Sequence, residues 1–92
     1  MKYILNAPEK IFLKINAEKI EPIRLSEQEA KIIILLSDNK FRTYKELFNF
    51  MKMSKNSIIT NIYNIRRKIP ELEINVEYDK GIVIINEILI DY

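Results

Sequence analysis

Lys55-Asn56-Ser57-Ile58-Ile59-Thr60-Asn61-Ile62-Tyr63-Asn64-Ile65-Arg66-Arg67-Lys68-Ile69-Pro70 decides how this chain is read. Ile58, Ile62, Ile65 and Ile69 are spaced four, three and four apart. At about 100° per residue they fall within a stripe about 60° wide, so the segment predicts a helix with one purely aliphatic side. Asn56, Thr60, Tyr63, Asn64 and Arg67 cluster on the opposite side, with no acid among them. Pro70 stops the helix, because it lacks the N–H and its ring clashes with the preceding turn. A helix is therefore expected from about Lys55 to Ile69.

Two further helices precede it. Ser26-Glu27-Gln28-Glu29 has the form of a capping box, in which a Ser hydroxyl and a Glu carboxylate each satisfy an end N–H group. The run Ala30 to Leu36 behind it is apolar on nearly every side, predicting a central, buried helix ended by Ser37-Asp38-Asn39. Thr43-Tyr44-Lys45-Glu46 repeats the box. Leu47, Phe48, Phe50 and Met51 then supply the apolar side of a short second helix.

The flanks read as strands. Tyr3-Ile4-Leu5, Lys10 to Ile15 and Ile20 to Leu25 are separated by turn residues and predict a small antiparallel meander over residues 1–25. After Pro70, Leu72-Glu73-Ile74-Asn75-Val76-Glu77-Tyr78 alternates with period two. Asp79-Lys80-Gly81 reads as a hairpin turn, with the only Gly of the chain placed where positive φ is easiest. Residues 72–90 are thus expected to form a β-hairpin. The order predicts one α+β domain over residues 1–92: an N-terminal antiparallel β-meander, a three-helix core over 26–69 and a C-terminal hairpin.

Composition narrows the chemistry. The chain has neither Cys nor His. Disulfides, the usual zinc and iron ligand sets and His- or Cys-based nucleophile pairs are all excluded. No enzyme activity, cofactor, metal site or small-molecule substrate is expected. No apolar run approaches the ~20 residues needed to span a bilayer, and Met1 to Asn6 lack the core of a signal peptide. A cytoplasmic location is the default expectation.

Net charge is only +2 over 92 residues, too small to indicate a polyanionic partner by itself. Its distribution says more. From Lys40 to Lys68 every charge is basic except Glu46, whereas beyond Pro70 only Lys80 opposes six acids. Such a basic middle suits a localised phosphate-facing surface, and it equally suits a solvated helix face.

Taken together these segments resemble the C-terminal effector domain of OmpR/PhoB-type response regulators, shared with ToxR-like activators. The likeness rests on Leu25 to Ile33, on Thr43 to Leu47, on Ile58 to Ile69 with its aliphatic, three basic, aliphatic ending, and on Gly81-Ile82-Val83. It implies a winged helix-turn-helix fold whose third helix enters the major groove of double-stranded DNA while the hairpin wing touches the adjacent minor groove. It also implies transcription regulation, RNA polymerase or another regulator as a second partner, and a homodimer on DNA. A ToxR-like protein would be a cytoplasmic domain carried on a longer, membrane-anchored chain. Two departures stand out: the family wing usually carries Arg-Gly where this chain has Tyr78-Asp79, and the loop Lys52-Met53-Ser54 is short. Lys80 is left as the only wing cation.

On this reading the base-facing candidates are Asn56, Ser57, Thr60, Asn61, Tyr63, Asn64, Arg67 and Lys68. Asn amides match the adenine edge and a Thr methyl packs on thymine, which suits A·T-rich sites. Arg42, Thr43, Lys55 and Arg66 are candidates for the phosphate backbone. Each has a plain structural alternative. Thr43, Ser54 and Ser57 serve equally as helix caps, and Lys68 and its neighbours favour the helix dipole by ~0.3–1 kcal/mol each. Arg66, nearer the aliphatic stripe, can pair internally, and Tyr63 can stack on a sugar, bond a phosphate or pack on a neighbouring element. A module of the same architecture that contacts another protein instead of DNA is the competing reading.

Overall fold

The computed structural model describes residues 1–92 as an α+β assembly of three helices and two small sheets. Strands β1 (Lys2–Asn6), β2 (Ile11–Ile15) and β3 (Ile20–Arg24) form the antiparallel meander. Tyr3, Leu5 and Phe12 point inward by the period-two rule, and the rings of Tyr3 and Phe12 lie 5.6 Å apart.

Helix α1 (Glu27–Leu36) begins with the full capping box: Ser26 Oγ accepts from Glu29 N–H, and Glu29 Oε1 accepts from Ser26 N–H. Ala30, Ile32, Ile33 and Leu36 are buried, while Ile34 and Leu35 remain half-exposed. Asn39 closes the segment in the left-handed region (φ 61°), and its amide donates to the carbonyls of Ile84 and Asn86, both at 2.8 Å.

A two-residue strand, β4 (Arg42–Thr43), leads into α2 (Tyr44–Met51), again through a complete capping box. Here the structure corrects the expected apolar side. Of the four residues assigned to it only Leu47 is buried; Phe48 and Phe50 are 50% and 64% exposed. A helix of eight residues makes little more than two turns, so it can offer the core one residue deeply and no continuous stripe.

Helix α3 (Lys55–Lys68) packs against α1 through Ile58, Ile62 and Ile65, with Ile69 as its C-cap. All four isoleucines are at most 2% exposed. Each such side chain contributes roughly 1.5–3 kcal/mol of burial, so this stripe fixes the helix's rotation about its own axis.

After Pro70, β5 (Ile74–Glu77) and β6 (Gly81–Ile84) form the hairpin, and β4 pairs with β6 to complete a sheet of order β4-β6-β5. Two expectations change. The final strand β7 (Leu89–Asp91) does not prolong the hairpin; it crosses to the first sheet and pairs in parallel with β1, giving the order β3-β2-β1-β7. Gly81 has no positive φ. It is required for another reason: a Cβ there would lie 2.0 Å from the Arg42 carbonyl oxygen, so only glycine lets β4 and β6 approach. Lys80 N–H instead closes the turn on Glu77 O at 2.9 Å.

Candidate nucleic-acid interface

Helix α3 presents three distinct sides once its isoleucines are anchored. One flank leans on α1. There Asn61 Nδ2 donates to Ser57 O (2.8 Å) and Gln28 Oε1 (3.3 Å), and Lys68 Nζ lies 2.6 Å from Glu29 Oε1. The other flank leans on the hairpin, where Arg66 donates to the Ile74 carbonyl at 2.5 Å and Ile59, Val76 and Tyr78 line one cleft. Between them the outward side carries Asn56, Thr60, Tyr63 and Arg67, all exposed, with Asn64 half-buried at its edge.

Arg67 is the cation of this side that meets no carboxylate within 4.0 Å. Its guanidinium sits 5.8 Å from the centre of the exposed Tyr63 ring. At that distance the cation is attracted by the face of the ring, and its five N–H donors have the fork geometry that suits phosphate or a guanine edge. Arg67, Asn64, Lys68 and Glu29 together line an open polar hollow of about 310 Å³.

Several expected contacts have other duties. Lys68 is tied to Glu29, a side chain only 4% exposed. Burial pushes the Glu29 carboxyl up, yet the Lys68 ammonium and the Ser26 N–H outweigh it and hold the group below the usual glutamate value. Arg42 is half-buried between Asp38 and Glu46, the latter at 3.5 Å, and so balances two acids instead of facing outward. Thr43 spends its hydroxyl on the α2 cap, and that N–H and hydroxyl hold the Glu46 carboxyl low. Ser57 completes the Ser54 cap: its N–H donates to Ser54 Oγ at 3.2 Å, and its hydroxyl accepts from the same group at 3.1 Å. Arg66 is spent on the hairpin backbone. Arg42, Thr43, Ser57, Asn61, Arg66 and Lys68 thus each have a partner within the protein, while Ser57, Arg66 and Lys68 remain exposed.

Lys55 and Lys80 occupy a middle position. Lys55 Nζ is 5.1 Å from the Tyr44 ring centre and 3.9 Å from Asp79, and Lys80 is 4.0 Å from Glu77. Both ion pairs are long and solvent-exposed, a class worth ~0–1 kcal/mol, so a phosphate can displace either acid cheaply. Lys40, Lys45 and Lys52 have no acid partner at all and were not among the expected contacts, because nothing in the sequence distinguishes them from solvated surface lysines. Tyr78, also overlooked, stands 63% exposed beside Tyr63. No three acidic side chains gather where they would hold a metal ion, and no helix is long and apolar enough to cross a membrane.

Comparison with family models, with curated proteins and with solved structures returns no match.

Proposed function

We propose that this chain is a double-stranded DNA-binding domain of winged helix-turn-helix architecture, acting as a transcriptional regulator or as the DNA-binding part of one, with α3 lying in the major groove. The observation that carries the reading is the outward side of α3. Asn56, Thr60, Tyr63, Asn64 and Arg67 share it, it holds no acid, and the buried isoleucine stripe behind it prevents the helix from rolling. An α-helix of this width fills a groove ~12 Å across, and amide, hydroxyl and guanidinium groups are the types that bond base edges. Arg67, Lys45 and Lys52, together with the weakly paired Lys55, supply cations for the phosphates.

The test is duplex binding followed across salt. About 4–6 phosphate contacts predict an affinity loss of two to three orders of magnitude between 50 and 200 mM salt. Selection from a random duplex library should then return a motif, and Arg67→Ala should weaken binding to every sequence in it. Salt-insensitive or absent duplex binding rejects the reading.

One observation favours a second reading, a protein-contact module without DNA binding. Phe50 stands exposed on α2 and lines an open hollow of about 220 Å³ with Ile34, Leu35, Met51 and Lys31. An apolar surface left uncovered in this way is a common mark of protein contact. Failure to bind any duplex, joined to loss of a stoichiometric protein partner on Phe50→Ser, would favour it.

A further inference from the structure

The hairpin beside α3 has the wrong charges for a backbone grip. Its tip carries Glu77 and Asp79, and its one cation, Lys80, sits against Glu77 at 4.0 Å. A major-groove helix is flanked on either side by sugar-phosphate walls, so whatever stands next to α3 must meet such a wall. What stands there is aromatic. Tyr63 from α3 and Tyr78, just past β5, are 62% and 63% exposed and line one cleft together with Ile59, Ile62, Val76 and Arg66.

Several features hold this cleft in place. Arg66 donates to the Ile74 carbonyl at 2.5 Å, tying the helix to the hairpin behind the two rings. The Lys55–Asp79 pair, 3.9 Å apart and solvent-exposed, adds little to this tie. Ile62, which lines the cleft, is 2% exposed and belongs to the core. The two phenol rings are therefore mounted on elements that cannot easily separate. Two large exposed aromatics lose burial energy that polar residues at the same positions would not forfeit.

We propose that Tyr63 and Tyr78 form an aromatic shelf that packs on the deoxyribose of the DNA strand bordering the α3 groove. The inference rests on the DNA-binding reading and adds to it a means of backbone contact that needs no cation. A deoxyribose offers an apolar C–H face to a ring, whereas the phosphate would be repelled by Glu77 and Asp79. Contact through the sugar lets the hairpin keep its acids. The shelf grips without releasing counterions, so it adds affinity without steepening the salt dependence.

The experiment measures duplex affinity at several salt concentrations for the intact chain and for Tyr78→Ala, Tyr78→Phe, Tyr63→Ala and Arg67→Ala. Tyr78→Ala is expected to weaken binding about five- to tenfold with the slope against salt unchanged, whereas Tyr63→Ala weakens it further and lowers the slope, because it also removes the ring beneath Arg67. Tyr78→Phe is expected to retain most of the affinity. Arg67→Ala is expected to lower the slope by about one. The chain contains no Trp, so tyrosine emission can be followed directly, and duplex should quench it less in the Tyr78→Ala protein. Both tyrosines are exposed, and thermal melting checks that the variants stay folded. Full affinity and unchanged quenching in Tyr78→Ala, alongside a weakened Arg67→Ala, overturn the shelf and leave the DNA reading standing. A reduced salt slope in Tyr78→Ala overturns it too, by exposing an electrostatic role. Absence of duplex binding by the intact chain removes both.

Discussion

Lys68, in the last turn of α3, reaches across to Glu29, in the first turn of α1, and closes a 2.6 Å ion pair on a carboxylate that also caps its own helix. One buried group thus secures both the start of α1 and the end of α3. Glu29→Ala should destabilise the protein by about 1–2 kcal/mol, because the Ser26 N–H loses its acceptor and Lys68 its partner. Lys68→Ala should cost a comparable amount, because it strips the charged partner from a buried carboxylate. Urea denaturation of the two variants and their double mutant checks this, and a coupling energy near zero would refute it.

The same pair sets a pH dependence. The Glu29 carboxyl is held below its usual value in the folded protein. Its contribution is therefore complete above the unfolded-chain pKa of roughly 4.3 and is lost as pH falls through the lower folded value. The intact protein should lose stability between pH 5 and about pH 3 more steeply than Glu29→Gln, as thermal melts across that range would record.

Gly81→Ala should be among the most damaging single changes. The added Cβ would fall 2.0 Å from the Arg42 carbonyl oxygen, a backbone atom held by the β4–β6 pairing. We expect a loss of about 3 kcal/mol, measured by chemical denaturation. An effect below 0.5 kcal/mol would mean that the short strand moves aside freely.

Lys52 offers the opposite case. It caps α2 in the left-handed region (φ 56°), and its N–H donates to Phe48 O at 2.7 Å. Lys52→Gly should stabilise the fold by up to about 1 kcal/mol, since glycine takes this conformation without a Cβ penalty. The gain appears as a higher melting temperature.

Within α3 the amides should divide. The Asn61 amide is engaged with Ser57 and Gln28, so Asn61→Ala should leave a selected DNA motif unchanged. Thr60→Ala and Asn64→Ala should each relax preference at one base pair by about 1–3 kcal/mol. Comparing the motifs returned for the three variants decides the matter.

Local chemistry was written plainly in the chain. Both capping boxes, the isoleucine register of α3 and the β5–β6 alternation depend on residues within a few positions of one another, and each element stands where those signals put it. Long-range placement was not legible. Nothing near Leu89 encodes its pairing with Ile4, because parallel partners share no turn chemistry. The run of cations from Lys40 to Lys68 looks unopposed in one dimension, yet Asp38, Glu29 and Asp79 arrive from outside it to face Arg42, Lys68 and Lys55. Periodicity separated the buried isoleucines of α3 from the side that carries Asn56, Thr60, Tyr63 and Arg67, all of them exposed. It could not show that Asn61, Arg66 and Lys68 have partners on neighbouring elements, because it carries no information about which elements pack beside a helix. Tyr78 carried no signal beyond being a tyrosine at a strand end.

The crossing of β7 to β1 has a mechanical side. The two strands run in the same direction, so tension applied between Lys2 and Asp91 would pull them lengthwise past each other. Their ladder rungs, from Ile4–Leu89 to Asn6–Asp91, would then bear the load together instead of peeling one at a time. A protein stitched in this manner resists stretching at its ends while the helix and hairpin between them stay free of strain.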